Sequence, residues 1–163
     1  MLGPKYRALI FITSVLRSDH GICAHDEDGH LLGVAGFKTM HGALVGGNFM
    51  QLQRVYGWVG ASIRILLLAA LEKDTDNERF VMDGIFVAQE ARGKGVGTAL
   101  LNATAAEAKK RGYRQVRLDV VDSNPRAKAL YLHEGFTEVS TRSIGIMRHI
   151  FGFSSATTMV RDV

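Results

Sequence analysis

Cysteine, proline and long apolar runs are scarce in this sequence of 163 residues. The single cysteine, Cys23, excludes an internal disulfide and any metal site built from several cysteines. The longest apolar run, residues 65–71, is far shorter than the roughly 20 residues of a membrane-spanning helix. The amino-terminal residues also lack the charged start, apolar core and cleavage site of a secretion signal. We therefore expect a soluble, cytoplasmic protein without a membrane partner.

The excess of positive over negative charge in the sequence is also small. Lys and Arg number 20 against 16 Asp and Glu, for a net charge of +4, and no basic segment is interleaved with aromatic residues. Nucleic-acid binding is therefore not indicated. The apolar fraction of 47% and the charged fraction of 22% exclude a mainly disordered chain. The length predicts a single domain over residues 1–163.

The hydrophobic pattern predicts both strands and helices along the chain. Two short apolar runs around a polar turn at residues 26–29 predict an antiparallel hairpin. Further strands are predicted at residues 79–87, 115–121, 136–142 and 155–161, and helices at 6–16, 61–73, 99–110 and 124–135. Residues 40–77 form a partly helical excursion, in which Tyr56 and Trp58 either line a pocket or pack a local core.

Glycine, in contrast, is abundant, with 18 residues, and three glycines stand close together between a strand and a helix. Gly93, Gly95 and Gly97 leave room for the backbone to approach an anion, and Arg92 and Lys94 add positive charge. A nucleotide-hydrolase loop would need Ser or Thr directly after the lysine, and a dinucleotide-binding loop would need a wider final glycine spacing. The segment therefore predicts phosphate binding of another kind.

Two blocks carry a family resemblance. The segment Arg92-Gly93-Lys94-Gly95-Val96-Gly97 resembles the acyl-CoA signature of the GNAT acetyltransferase superfamily, and residues 124–136, Asn-Pro-Arg-Ala-Lys-Ala-Leu-Tyr-Leu-His-Glu-Gly-Phe, resemble the family's fourth helix and following strand. The resemblance implies an α/β (α+β) fold with a mixed, strongly twisted sheet of about six strands and helices on both faces. The family begins with a strand and two helices where this chain has about 20 residues, so part of the acceptor pocket is expected to be compressed or missing.

The resemblance also implies roles for individual residues. The backbone of Ile85, Phe86 and Val87 would hold the pantetheine and thioester of acetyl-CoA, and Asn124 would cap a helix and touch the cofactor. Tyr131 would be the general acid beside the sulfur, or else a packed helix tyrosine. The remaining cofactor-binding positions follow from the first block: Arg92, Gly93, Lys94, Gly95, Val96, Gly97 and Thr98.

Asp83 interrupts an otherwise apolar strand. Burial there would raise the pKa of its carboxyl group towards that of a useful base, acting directly or through water. An alternative is a structural ion pair with a nearby arginine. His20, Cys23, His25 and His30 are scattered by strand alternation, so no metal site is expected.

The most concrete hypothesis is an acetyl-CoA-dependent N-acetyltransferase. A primary amine on a small molecule or peptide would attack the thioester directly in a ternary complex, because Cys23 lies outside both blocks. The alternative is a non-catalytic acyl-CoA sensor or interaction module. Exposed sheet edges would allow a homodimer.

Overall fold

The computed structural model describes residues 16–39, 42–44, 78–145 and 148–163. Within these ranges the chain forms seven strands: β1 (Gly21–His25), β2 (Leu31–Thr39), β3 (Gly42–Ala43), β4 (Phe80–Val87), β5 (Gln115–Val121), β6 (Thr137–Ser143) and β7 (Ser155–Asp162). The helices of the same ranges are α1 (Val96–Lys110), α2 (Pro125–His133) and the short α3 (Arg148–Phe151), with 3-10 turns at Ser18–His20 and Gln89–Ala91. The part of the chain that the structure describes contains no helix both long and apolar enough to cross a membrane.

All the strands belong to one mixed sheet. Its order is β1-β2-β4-β5-β7-β6, and the two-residue β3 pairs with β2. Neighbouring strands are antiparallel except β4 and β5, which are parallel and are connected through α1. The predicted hairpin and the expected mixed α/β architecture are therefore confirmed. The helices predicted at 6–16 and 61–73, with Tyr56 and Trp58, lie outside the described residues.

The two parallel strands separate soon after they meet. Their register contains only Phe80 opposite Val116 and Val81 opposite Arg117. Beyond these pairs β4 continues along β2 as far as Val87, while β5 stays paired with β7 over its whole length. An opening is thus left between the carboxyl ends of β4 and β5, which we call the strand fork.

A bulge in β4 lies where the fork begins. Phe37 of β2 pairs with Met82, and Gly36 pairs with Gly84, so Asp83 is the extra residue between the two pairs. A bulge bends its strand and increases the local twist. It therefore turns β4 away from its straight course just beyond the last contact with β5.

The main core lies between the sheet and the two longer helices. Val116, Leu118 and Val120 alternate along β5 and are buried in one cluster with Leu101 of α1 and Tyr131 of α2. The close approach of α1 requires Gly33, because a Cβ there would lie 2.7 Å from the Phe86 carbonyl oxygen and 3.0 Å from Leu100 Cδ1. The helix is thereby held against β2 and β4, with its first residue near the end of β4.

Candidate active site

The glycine-rich segment forms a tight turn between β4 and α1. Gly93 and Gly95 have φ angles of 79° and 80°, in the left-handed region that favours glycine. Gly95 is the N-cap of α1, and no side chain caps the helix there. The first backbone N–H groups of a helix have no intrahelical partner, and the positive end of the helix dipole lies at the same place. The turn is therefore suited to bind an anion.

The three glycines have different surroundings. A Cβ at Gly93 or Gly95 would meet no heavy atom within 4 Å, so the turn faces open space at both positions. A Cβ at Gly97 would lie 3.0 Å from Leu130 Cδ2 of α2. Gly97 therefore allows the close packing of α1 on α2, a role that the sequence pattern does not indicate.

Positive charge flanks the turn. Arg92 and Lys94 are both exposed. The Arg92 Nε donates a hydrogen bond of 3.3 Å to the carbonyl oxygen of Val87, the last residue of β4. The Arg92 side chain is thus close to the end of the strand that borders the fork, and Lys94 follows two residues later in the turn.

Ile85, Phe86 and Val87 all lie beyond the last pair between β4 and β5. One edge of this segment pairs with β2, through Ala35, Val34 and Gly33 respectively. Because backbone groups alternate between the two edges of a strand, the edge that faces the fork offers N–H and C=O groups to a ligand. The Ile85 side chain packs on the core, whereas Phe86 is 65% exposed.

Tyr131 lies on the helix-covered side of the sheet. Its side chain is 6% exposed and belongs to the core cluster on which Ile85 packs. Burial raises the pKa of the Tyr131 phenol above its ordinary value of 10.0, so the phenol stays protonated at neutral pH. A protonated phenol is thereby held in the core cluster on which Ile85, a residue of the fork, also packs.

Asn124 caps α2, as its sequence position predicts. Its Oδ1 accepts a hydrogen bond of 3.2 Å from the N–H of Ala127, and Pro125 occupies the first helical turn. The helix ends at His133, and the chain leaves it through Gly135, which has a φ of 84°. Both ends of the tyrosine helix are therefore fixed by local sequence.

The expected burial of Asp83 is wrong. Asp83 is exposed, because it alternates with the buried Phe80 and Met82 along β4 and so lies on the opposite face of the strand. The desolvation on which its expected basicity depended is therefore absent. Asp83 nevertheless lies at the start of the strand fork, where it is the bulged residue of β4.

Two acidic residues near the site have structural partners that sequence reasoning missed. The Thr98 hydroxyl donates a hydrogen bond of 2.7 Å to Glu134 Oε1. This bond, followed by the smaller effect of His133, lowers the pKa of the Glu134 carboxyl group. Asp122, just after β5, accepts hydrogen bonds of 3.1 Å from the backbone N–H groups of Ser154 and Ser155. No sequence motif marks either carboxylate, because both partners are distant along the chain.

Two other features lie away from the fork. In the β1–β2 turn, the potential ligand atoms of Asp26, Asp28 and His30 lie within 4.8 Å of one another, but all three residues are exposed. A cleft of about 690 Å³ lies at the opposite end of the sheet, lined by residues that precede β4 and follow α1, among them Arg79, Arg111 and Tyr113. Neither feature includes a residue of the turn or the fork.

Comparison with known proteins places the chain in a family. The family model "Acetyltransferase (GNAT) family" matches residues 3–136. A segment of 54 residues is 48% identical to an uncharacterized N-acetyltransferase of Methanocaldococcus jannaschii, and the match covers 33% of this chain and 24% of that protein. The chain thus matches only about a quarter of that relative's length.

Solved structures share the fold. Nourseothricin acetyltransferase is 24% identical, with a TM-score of 0.58 over 87% of this chain and 64% of that one. A Bacillus anthracis protein assigned as a streptothricin acetyltransferase, solved with acetyl coenzyme A, is 14% identical, with a TM-score of 0.61 over 93% of this chain and 68% of that one. Together with the family model, which spans most of the sequence, these similarities show that the chain belongs to the GNAT family of acetyltransferases.

Proposed function

We propose that this protein is an acetyl-CoA-dependent N-acetyltransferase that transfers an acetyl group to a primary amine by direct attack in a ternary complex. The observation that carries the proposal is the continuity of two features on one strand. β4 leaves β5 after Val81, and the same strand then leads into the glycine turn at the start of α1. A strand edge without a partner among the described strands is thus adjacent to an anion-binding turn.

The described residues fit the chemical parts of acetyl-CoA. The open turn at Gly93 and Gly95, with the N–H groups of Val96, Gly97 and Thr98 behind it, suits a pyrophosphate. Arg92 and Lys94 supply compensating charge. The edge of residues 85–87 that pairs with no described strand suits the amide groups of pantetheine, which can pair with a strand as a peptide does. Asn124 and the start of α2 border the other side of the fork.

The proposed reaction forms one bond and breaks another. The lone pair of the amine attacks the thioester carbonyl carbon, and the carbon–sulfur bond breaks as the amide forms. Tyr131 gives its phenolic proton to the departing sulfur, for which a buried and protonated phenol is suited. Asp83 takes the proton released by the amine, directly or through water, from its exposed position at the start of the fork.

A direct attack agrees with the position of the only cysteine. Cys23 is exposed on β1. One strand, β2, separates β1 from β4 in the sheet order. A thiol at that distance from the fork is not placed to carry the acetyl group. The amine therefore attacks acetyl-CoA itself.

The acceptor is proposed only as a class, a small molecule or a peptide with a primary amine. The two structural neighbours are named for nourseothricin and streptothricin, and at 14–24% identity they share only the fold with this chain, so their acceptors are not carried over to it. The cytoplasmic location and a homodimer built through sheet edges stay predictions.

Calorimetric titration with acetyl-CoA and CoA tests the proposal. Wild-type protein is compared with the double variant Arg92→Glu, Gly95→Asp, which places two negative groups in the turn. The matched control is Lys110→Glu, Gly112→Asp, which makes the same kinds of change at the other end of α1, where Gly112 also has a positive φ of 82°. We expect micromolar binding by the wild type and the control, and none by the turn variant.

A release assay for free CoA thiol with a panel of primary amines then tests the chemistry. Turnover with at least one amine supports the enzyme. Binding of CoA without transfer to any amine of the panel would favour the non-catalytic acyl-CoA sensor instead. Absence of CoA binding by a folded wild type would contradict both.

A further inference from the structure

Glu134 is an acid of low exposure that the proposed reaction does not use. Its side chain is 9% exposed and follows the last turn of α2, three residues after Tyr131. A carboxylate removed from water needs donors to compensate for lost hydration. The Thr98 hydroxyl supplies one at 2.7 Å, and His133 Nδ1 lies 3.2 Å from the same oxygen.

Thr98 belongs to the other half of the site. It is the third residue of α1 and follows the anion-binding turn directly. The hydrogen bond between Thr98 and Glu134 therefore joins the first turn of α1 to the end of α2. Next to it, the absence of a side chain at Gly97 lets Leu130 approach so closely that an added Cβ would lie 3.0 Å from Leu130 Cδ2. The two helices thus touch at a polar and an apolar contact, side by side.

The end of α2 is a rigid unit that includes Tyr131. The backbone N–H of Phe136 donates to the carbonyl oxygen of Tyr131 at 2.9 Å, and that of Gly135 donates to Leu132 at 3.1 Å. Glycine in the left-handed region with these two bonds is the Schellman arrangement that ends many helices. A shift of Glu134 would therefore move Tyr131 with it.

We propose that Thr98 and Glu134 form a positioning pair that fixes the Tyr131 phenol relative to the anion-binding turn. The inference rests on the proposed function, since it concerns the distance between the group that donates a proton and the part of the site that holds CoA. Catalysis is sensitive to displacements of about 1 Å. A hydrogen bond to an ionised acceptor is shorter and stronger than one between neutral groups, which suits a contact that sets such a distance.

Four substitutions distinguish loss of the Thr98–Glu134 hydrogen bond from a change in side-chain volume. Thr98→Val removes the hydroxyl at nearly constant shape, and Thr98→Ser keeps it. Glu134→Ala removes the acceptor, and Glu134→Gln keeps an acceptor oxygen. The control is Thr104→Val, because the Thr104 hydroxyl bonds at 2.8 Å to the carbonyl oxygen of Leu100 within α1 and does not reach α2.

The position of Tyr131 is read by fluorine NMR of protein labelled with 3-fluorotyrosine, with the Tyr131 signal assigned through Tyr131→Phe. We expect Thr98→Val and Glu134→Ala to move this signal in the ligand-free protein, and the double variant to move it no further than either single variant. Thr98→Ser, Glu134→Gln and Thr104→Val should leave it in place. An unmoved signal in folded Thr98→Val, checked by thermal unfolding, would overturn the inference.

Kinetics give a second readout. We expect Thr98→Val and Glu134→Ala to lower kcat about tenfold, while KM for acetyl-CoA changes less than about twofold, because CoA contacts remain. On a Tyr131→Phe background neither should lower kcat further. Additive losses on that background would contradict positioning through Tyr131. Failure of the proposed function would be recognised separately, because the wild type would then lack CoA binding or acetyl transfer to any amine, while the ligand-free fluorine signals would remain interpretable.

Discussion

The ring of Tyr131 packs on that of Phe136, with 5.9 Å between centroids, while the backbone N–H of Phe136 bonds to the carbonyl oxygen of Tyr131. Both contacts depend on Gly135, which reverses the chain between α2 and β6 with a φ of 84°. The glycine that ends the helix therefore also holds the phenol in the core. A local sequence signal and the position of the proposed general acid coincide here.

Gly135→Ala should weaken both contacts. A residue with a Cβ costs about 1–2 kcal/mol in the left-handed region, which lowers Tm by a few degrees in a chain of this size. We also expect kcat to fall, because Tyr131 is displaced. Thermal unfolding and the thiol-release assay measure the two effects.

The matched control is Gly29→Ala in the β1–β2 turn, where φ is 83° and an added Cβ would meet nothing within 4 Å. It should cost similar stability and leave kcat unchanged. Equal losses of kcat in the two variants would show that the effect of Gly135→Ala is general destabilisation.

The acid role of Tyr131 predicts a particular pH profile. Since burial raises the pKa of the phenol above 10.0, the proton-donating form is fully present below that pH and is lost only as pH rises through the raised value. The contribution of Tyr131 to kcat should therefore be constant from pH 7 to pH 9. Tyr131→Phe should lower kcat roughly 100-fold over this range, the lower end for loss of a general acid, with little change in CoA affinity. A ratio of wild-type to variant kcat that declines between pH 7 and pH 9 would contradict the assignment.

Signals within a few residues could be predicted from the sequence. The Asn124 cap, the helix stop at Gly135 and the β1–β2 hairpin each depend on neighbours along the chain, and the structure has all three. The start of α1 was harder to predict, since it lies at Val96 and the pattern indicates residue 99. Gly97 obscures the first turn, because glycine is a poor helix former.

Contacts between residues that are far apart in the sequence could not be predicted from it. The bulge at Asp83 depends on the pairing of β4 with Gly36 and Phe37 of β2, and it brings Ile85 onto the core on which Met82 also lies, which the sequence of β4 alone does not indicate. The bond from Thr98 to Glu134 spans 36 positions. The strand fork likewise begins where β4 and β5 cease to pair, and the sequence of neither strand alone indicates that position.

Low pH should destabilise the 3-10 turn at Ser18–His20, which precedes β1. Hydrogen bonds from Arg17 and then from His20 lower the pKa of the Asp19 carboxyl group from 3.8 to about 2. The ionised form is thus favoured by folding. Its stabilising contribution is present above the unfolded value of 3.8 and is lost as pH falls from about 4 to 2. Carbon NMR of the Asp19 carboxyl group should show a titration near pH 2, and Arg17→Gln should move that midpoint upward. An unchanged midpoint would rule out Arg17 as the main cause.

The last prediction concerns the charge at the glycine turn. Arg92→Gln, Lys94→Gln should weaken CoA binding about tenfold near 0.05 M salt, because two charge-assisted contacts to phosphate are lost. The loss should be smaller near 0.5 M salt, where the Debye length is only a few ångströms and exposed charges contribute less. Lys109→Gln, Lys110→Gln removes the same charge from the opposite end of α1, so it should leave CoA affinity unchanged at both salt concentrations. Calorimetry of the three proteins at each concentration separates a local contact from the effect of net charge, since equal weakening by the two double variants would mean that the turn does not hold the phosphates.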